Sequence, residues 1–333
     1  MAIRVQAPAN IAFIKYWGRA DHGLFLPANS SVSMTLSGCN TVAEVELLHQ
    51  TNRDQVYMCT SEGEMYLLSP ETEKTRALYV QIERIRQLSG KSAAARVVAK
   101  NNFPADAGLA SSASSFCAIT GALLIAYGLE EVFHNKPLFS RYVRLAGSGS
   151  AVRSVYGGFV LWDKGGSCQT SVAKQLADEH YWSLVDVIAM VHQGKKRYSS
   201  SFGHEIAESS PLFLQRVVSV EQRLSLVLQS IAEKDFTLLG HTIEADSDCM
   251  HAVMRTSAPS LDYWTNGTRE VIDEVFKMRS RGIAAYYTMD AGANVHVLCQ
   301  KKDALLVYDI LNNLPSVLQV FVNRPVSGAH IVR

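Results

Sequence analysis

The sequence has almost no surplus charge: 32 lysines and arginines stand against 31 aspartates and glutamates, a formal +1. A protein held to nucleic acid by phosphate contacts needs a basic excess on one face, so the balance argues against that partner. Any anionic ligand must therefore be met by local charge. Cysteine is sparse and unpatterned. The six cysteines, at 39, 59, 117, 168, 249 and 299, form no CxxC and pair with no histidine, which indicates neither a zinc site nor a disulfide framework and fits reduced thiols in a cytosol. Long apolar runs are missing as well: none approaches the roughly 18 residues that span a bilayer. The first residues, MAIRVQAPANIAF, lack the apolar core and cleavage site of a secretory leader. The expectation is a cytoplasmic protein with no membrane partner. There is no internal repeat, no low-complexity segment and no lysine-bearing GxxxxGK[ST] phosphate loop. What remains is an ordinary globular composition, and 333 residues suit two lobes better than one.

The stretch NNFPADAGLASSASSF, residues 101–116, is the most informative. Proline, glycine and small residues compress a turn at Pro104 to Gly108, and a helix that stays small on one side begins just after it. The first N–H groups of a helix lack intrahelical partners and the helix dipole adds partial positive charge there, so the turn is a seat for an anion, a phosphate chain above all. The hydroxyls of Ser111, Ser112, Ser114 and Ser115 are candidates to touch phosphate or help hold a metal ion. A Ser-capped helix after an ordinary loop is the plainer alternative.

Along the chain, Ile3 to Ala7 alternates as a strand and runs into Pro8-Ala9-Asn10. In IAFIKYWGRAD, Lys15 stands among apolar and aromatic neighbours, where desolvation lowers a lysine pKa unless an anion compensates. Val32 to Leu36 and Val42 to Leu48 read as an antiparallel pair, with short strands at Gln55 to Cys59 and Glu64 to Leu68. Helical spacing marks Glu71 to Leu88, and a strand at 94–100 feeds the phosphate-seat helix, Ser111 to Tyr127. A helix at Pro137 to Ala146 ends in GSGSAVRS. Two hydroxyls and Arg153 beside glycines make a second anion site there, suited to a bidentate contact. Gly157-Gly158 leads a strand to Trp162 and is read as a domain hinge. Beyond it, a strand at Leu184 to Val191 precedes the basic loop Lys195-Lys196-Arg197. Helices follow at Pro211 to Ile231, Phe236 to Ala252 and Thr268 to Arg281. A strand at Ala284 to Thr288 stops at Asp290-Ala291-Gly292, Val295 to Cys299 returns, and a helix at Asp303 to Leu311 precedes a strand at Val317 to Val322. Taken alone, Asp290 is an ordinary turn aspartate.

Six blocks change that weighting: APANIAFIKYWGRAD, LPANSSVSMTL, NNFPADAGLASSAS, GSGSAVRSVYGGFVLW, ADSDCMHAV and YYTMDAGANVHVL. In this order, and spread over nearly the whole chain, they make the sequence resemble the GHMP kinase superfamily and, within it, the ATP-dependent diphosphomevalonate decarboxylases. The resemblance implies an α/β (α+β) fold of two lobes, 1–182 with the ATP loop and 183–333, with a cleft between them. It also implies a reaction: ATP phosphorylates the tertiary 3-hydroxyl, and phosphate leaves with carbon dioxide to give isopentenyl diphosphate.

By the same resemblance Asp290 lies at the hydroxyl, Lys15 neighbours that aspartate, and Arg153 holds the substrate carboxylate with Asn10 in support. Tyr16, Arg19, Ser148 and Ser150 fall at the substrate diphosphate. Gly108, Ser111 and Ser112 belong to the ATP loop, with Ser112 as the magnesium hydroxyl, and Lys196 or Lys195 reaches the ATP phosphates. A homodimer is implied at family level. Three positions depart from the family pattern: Arg19 stands for a lysine, Asp106 adds negative charge to the phosphate loop, and Arg197 replaces an aspartate. Arg19 leaves a phosphomevalonate decarboxylase open as an alternative, because a planar fork reads phosphate differently from a point charge. A plain GHMP kinase and a non-catalytic member are the remaining alternatives.

Overall fold

The structure is a computed structural model that describes residues 2–59, 63–103, 111–194 and 198–333. Its first lobe holds β1 (Ile3–Ile14), β2 (Arg19–Asp21), β3 (Leu26–Pro27), β4 (Ser31–Leu48), β5 (Gln55–Cys59), β6 (Met65–Leu67) and α1 (Glu73–Ser89). It continues with β7 (Ala94–Asn101), α2 (Ser111–Ala126), α3 (Glu130–His134), α4 (Lys136–Leu145), a 3-10 turn at Ser150–Ser154, β8 (Phe159–Trp162) and β9 (Ala173–Ala177). The second lobe holds β10 (Leu184–Met190), α5 (Ser200–Ile206), α6 (Phe213–Glu233), α7 (Phe236–Thr256) and α8 (Asn266–Ser280). After these come β11 (Ala285–Thr288), β12 (Val295–Gln300), α9 (Ala304–Asn312), β13 (Gln319–Asn323) and β14 (His330–Ile331).

The large sheet runs β14-β1-β4-β7-β5-β6, with β8 joined to β4 and β9 to β8, and among the described residues only its β5–β7 pair is parallel. The smaller sheet runs β11-β12-β10-β13, all antiparallel. Beyond its first-turn serines α2 is apolar on nearly every side, as a helix buried on its faces must be, and it packs across β1 and β4. Local signals set the ends of the surface helices. Thr72 and Thr75 form a capping box that opens α1, and Gly90 in the left-handed region closes it. A second apolar cluster joins the lobes: Ile11 and Phe13 of β1 meet Val220 and Val227 of α6, Ile243 of α7 and Tyr286 of β11.

Three expectations are corrected. β1 does not stop at Pro8; it passes through a register shift between Pro8 and Ala9 and continues to Ile14, which carries Lys15 to its end. Val32 to Leu36 and Val42 to Leu48 are not two paired strands but parts of one, β4. The polar stretch between them resembles a turn, yet its backbone finds distant partners. The Gly38 N–H donates to Asn323 Oδ1 at 2.8 Å and the Asn40 N–H to Asn102 Oδ1 at 2.7 Å. Finally, Gly157-Gly158 is no hinge. β8 is bound into the large sheet, and a Cβ on Gly157 would lie 2.6 Å from the Ser327 backbone.

That last contact belongs to a strap. After β13 the chain leaves the second lobe and lies along the first. The Ser37 N–H donates to the Arg324 carbonyl at 3.0 Å, the Val326 N–H to Thr35 Oγ1 at 3.1 Å and the Ala329 N–H to the Ser154 carbonyl at 3.1 Å. β14 then pairs with β1, Ile331 opposite Val5.

Candidate active site

Lys15 follows β1, and its ammonium group donates to Asp290 Oδ1 at 2.9 Å. The lysine side chain is 1% exposed and the aspartate side chain 28%. Asp290 follows β11 in a tight turn, where the Gly292 N–H donates to the Asp290 carbonyl at 2.8 Å. Burial works to raise the Asp290 carboxyl, but Lys15, His296 and Arg153 together hold it below its ordinary value. Burial lowers Lys15 against the pull of Asp290 and Asp246. The pair is therefore an ionised carboxylate backed by a buried ammonium, with its open side toward solvent.

Arg153 sits in the 3-10 turn that follows the glycine loop. Its Nη1 donates to Ser31 Oγ at 2.6 Å, while its buried Nε has no partner among the described residues. Burial presses the guanidinium down to about 10, with Asp290 and Tyr16 opposing, so it stays charged at neutral pH. A buried charged donor without an acceptor is costly, and an anionic ligand would satisfy it. Asn10 braces the turn: its Nδ2 donates to Ser154 Oγ at 2.9 Å and to the Ser150 carbonyl at 3.1 Å.

Arg19 Nε donates to the Tyr16 hydroxyl at 3.2 Å, and the guanidinium lies 4.6 Å from the centre of the Phe25 ring. Burial raises the Tyr16 hydroxyl, with Arg19, Arg153 and Arg144 opposing, so three guanidiniums share its neighbourhood. Ser148 and Ser150 bring their hydroxyls within 3.4 Å of each other. The glycine loop can lie on the Tyr16 ring only because Gly149 has no side chain: a Cβ there would stand 2.5 Å from that ring.

Ser112 lies half-buried in the first turn of α2, which has no acidic residue. A helix start free of carboxylates fits an anion. Among the described residues no three His, Cys, Asp or Glu side chains gather as a metal cage. Ser114 and Ser115 are corrected. Both are buried, and Thr41 Oγ1 lies 2.7 Å from Ser114 Oγ and 3.3 Å from Ser115 Oγ, so these hydroxyls tie α2 to β4 instead of facing a nucleotide. Gly108, Lys195, Lys196, Arg197 and Asp106 lie outside the described residues, as does the side chain of Ser111.

Several neighbours carried no sequence signal of their own. His204 of α5 stacks on Tyr16, 4.1 Å between ring centres, and its Nδ1 accepts the Gly18 N–H at 3.1 Å. Burial, with Arg19 and His22, drives its pKa well below the usual value, so the ring is neutral and carries its proton on Nε2. Buried Arg144 donates to the Leu24 carbonyl and, at 2.8 Å, to the Cys168 carbonyl. Asp246 was visible only as part of a motif block. It is fully buried between Arg216 and Arg223, with Nη1–Oδ1 and Nε–Oδ1 distances of 3.1 and 2.9 Å.

Comparison with known proteins gives one consistent answer. Residues 7–173 match the diphosphomevalonate decarboxylase-like N-terminal domain, and residues 186–325 match the mevalonate 5-diphosphate decarboxylase C-terminal domain. The diphosphomevalonate decarboxylase of Candida albicans is 33% identical over 330 residues, covering 93% of this chain and 89% of that protein. A structure of MDDEF in complex with MVAPP, AMPPCP and magnesium superposes with a TM-score of 0.90 at 33% identity, covering 100% of this chain and 99% of the other. The mevalonate diphosphate decarboxylase of Staphylococcus aureus gives 0.90 at 31% identity, covering 100% and 98%.

Proposed function

The chain belongs to the diphosphomevalonate decarboxylase family, and from that premise we propose that it carries out the ATP-dependent decarboxylation of diphosphomevalonate to isopentenyl diphosphate in the mevalonate route. The observation that carries the reading is the Lys15–Asp290 ion pair, open on its carboxylate side, with the unpartnered Nε of Arg153 in electrostatic reach.

In this reading Asp290 accepts the hydrogen bond of the tertiary 3-hydroxyl and aims its oxygen at the terminal phosphorus of ATP. A carboxylate held below its ordinary pKa is a weak base. Its ground-state work is orientation, and it takes the proton only as the attacking oxygen turns acidic on bonding to phosphorus. Lys15 keeps it ionised. Magnesium supplies charge neutralisation across the nucleotide phosphates, with Ser112 as the residue that would hold it. Once the hydroxyl is a phosphate ester, its C–O bond breaks and phosphate departs. The bond to the carboxylate then breaks, its electron pair forms the new double bond, and carbon dioxide is released. Arg153 orients that carboxylate; a contact that bound it more tightly in the ground state than in the transition state would slow the release. Tyr16, Arg19, Ser148 and Ser150 hold the diphosphate, with Gly108, Ser111 and Lys196 at the nucleotide.

The division into lobes 1–182 and 183–333, a homodimer and a cytoplasmic location belong to the same reading. No helix among the described residues is long and apolar enough to cross a membrane. The deciding experiment incubates the purified chain with ATP, magnesium and diphosphomevalonate and follows ADP, phosphate, carbon dioxide and isopentenyl diphosphate. Equal yields of all four are expected. ADP with a phosphorylated acid that keeps its carboxylate would make the chain a plain kinase and overturn the reading.

A further inference from the structure

Helix α7 reaches the ion pair from behind with two consecutive side chains. Asp246 Oδ2 accepts the Lys15 N–H at 2.7 Å, and Ser247 Oγ accepts the Met289 N–H at 3.0 Å. Neighbouring positions on a helix point about 100° apart, so one turn serves two strands only when it lies against both, and α7 packs on β1 and on β11. Arg216 closes the other side of Lys15. Its Nη2 donates to the Lys15 carbonyl at 3.1 Å, beside Asn29 Nδ2 at 3.0 Å, while its Nη1 reaches Asp246 Oδ1 at 3.1 Å. Both backbone groups of Lys15 are thus held by one fully buried charge pair. Apolar side chains usually replace a buried ion pair at no loss of stability, so stability alone is a poor reason to keep this one. Two hydrogen-bonded backbone groups of a single residue are something an apolar pair could not hold.

We propose that Asp246 and Ser247 are positioning residues that fix Lys15 against Asp290, with Arg216 holding Asp246 in its place. Their effect on turnover rests on the reaction proposed above; their effect on the backbone does not. The ammonium-to-carboxylate distance is set by where the two backbones are held, and both are held from adjacent residues of one helix. The ion pair therefore keeps its length when the cleft fills or empties.

The test uses the full chain with Ser247→Ala, Asp246→Asn and, as a control on the same helix, Thr242→Ala, whose hydroxyl bonds only the Leu238 carbonyl among the described contacts. Amide hydrogen exchange at residues 15 and 289 is read first. Exchange at Met289 is expected to quicken about tenfold or more in Ser247→Ala, and that at Lys15 in Asp246→Asn, with the control unmoved. Steady-state kinetics follow. In Ser247→Ala, kcat should fall about tenfold or more while KM for ATP and for diphosphomevalonate moves less than about twofold, because a misplacement near 1 Å can cost about 10²-fold. The acid limb of the kcat profile should move to higher pH as Lys15 loosens its hold on Asp290, a change that a merely structural residue would not produce. Asp246→Asn leaves two guanidiniums short of a partner and is prone to unfold, so Ser247→Ala carries the decision. Unchanged exchange at Met289, or quickened exchange with wild-type kcat, overturns the proposal. Absence of turnover in the wild type would overturn the reaction instead, and the exchange arm would still decide the clamp.

Discussion

Lys15 and Asp290 form an ion pair sealed on one side only: the lysine is fully buried, and the aspartate keeps more than a quarter of its side chain open. An exposed surface pair contributes little, and a pair buried on both sides offers nothing to a ligand. This one holds a charged oxygen at the rim of the site.

Asp290→Asn keeps the shape and loses the charge. Turnover is expected to fall by a factor on the order of 10³ or more with ATP affinity nearly unchanged. Single-turnover kinetics beside nucleotide titration checks this, and near-normal activity would remove Asp290 from the chemistry.

Lys15→Met tests the electrostatics. Burial alone pushes Asp290 up and Lys15 is the largest influence holding it down, so loss of the ammonium should raise the carboxyl. In the proposed reaction, activity requires the ionised form and is lost as pH falls through the pKa of Asp290. The acid limb of kcat/KM should therefore move to higher pH in the variant. An acid limb left where it stands in the wild type would show that another group controls it.

The two anion sites should separate. Ser112→Ala is expected to weaken nucleotide use chiefly. Arg153→Ala should impair the acid substrate, because it removes the unpartnered Nε while leaving the start of α2 intact. Calorimetric titration of each ligand into each variant decides it, and the reverse pattern would mean the loops are assigned backwards.

Under the proposed function, Arg19 is the residue expected to set how many phosphates are read. A charge-assisted contact contributes roughly 1.5–3 kcal/mol, or about 10- to 150-fold in affinity. Diphosphomevalonate should be preferred over 5-phosphomevalonate by about tenfold or more in kcat/KM. Arg19→Ala should narrow that gap more than Arg19→Lys does, since lysine keeps the charge but loses the fork that also binds the Tyr16 hydroxyl. A wild type that uses both substrates equally would point to the monophosphate enzyme.

Where local chemistry decides, the sequence was readable. Lys15, Arg153 and Asp290 stand in motif blocks, and β7 and α2, the strand and helix on either side of residues 104–110, follow from residue type. The failures have one physical cause, which is that the deciding partner lies far along the chain. β4 reads as two strands, Val32 to Leu36 and Val42 to Leu48, because Asn102, Asn323 and Arg324, which satisfy the backbone between them, cannot be seen from position 38. Ser114 looks free to meet phosphate until Thr41 is placed beside it. His204 and Arg216 announce nothing locally, for their partners are Tyr16, Gly18 and Asp246.

The strap of residues 324–331 gives the molecule an order of completion. Asn10 and Ser31, which brace and bind the Arg153 turn, are made early, but the Ala329 N–H that meets the Ser154 carbonyl and the strand that meets Val5 are made late. Domains form as they leave the ribosome, earlier segments first. A chain still being translated therefore has α2 in hand well before the outer edge of its first sheet is closed. The turn that carries Arg153 gains its last support only when the second lobe has been made, so under the proposed function a half-built chain has no finished seat for the acid.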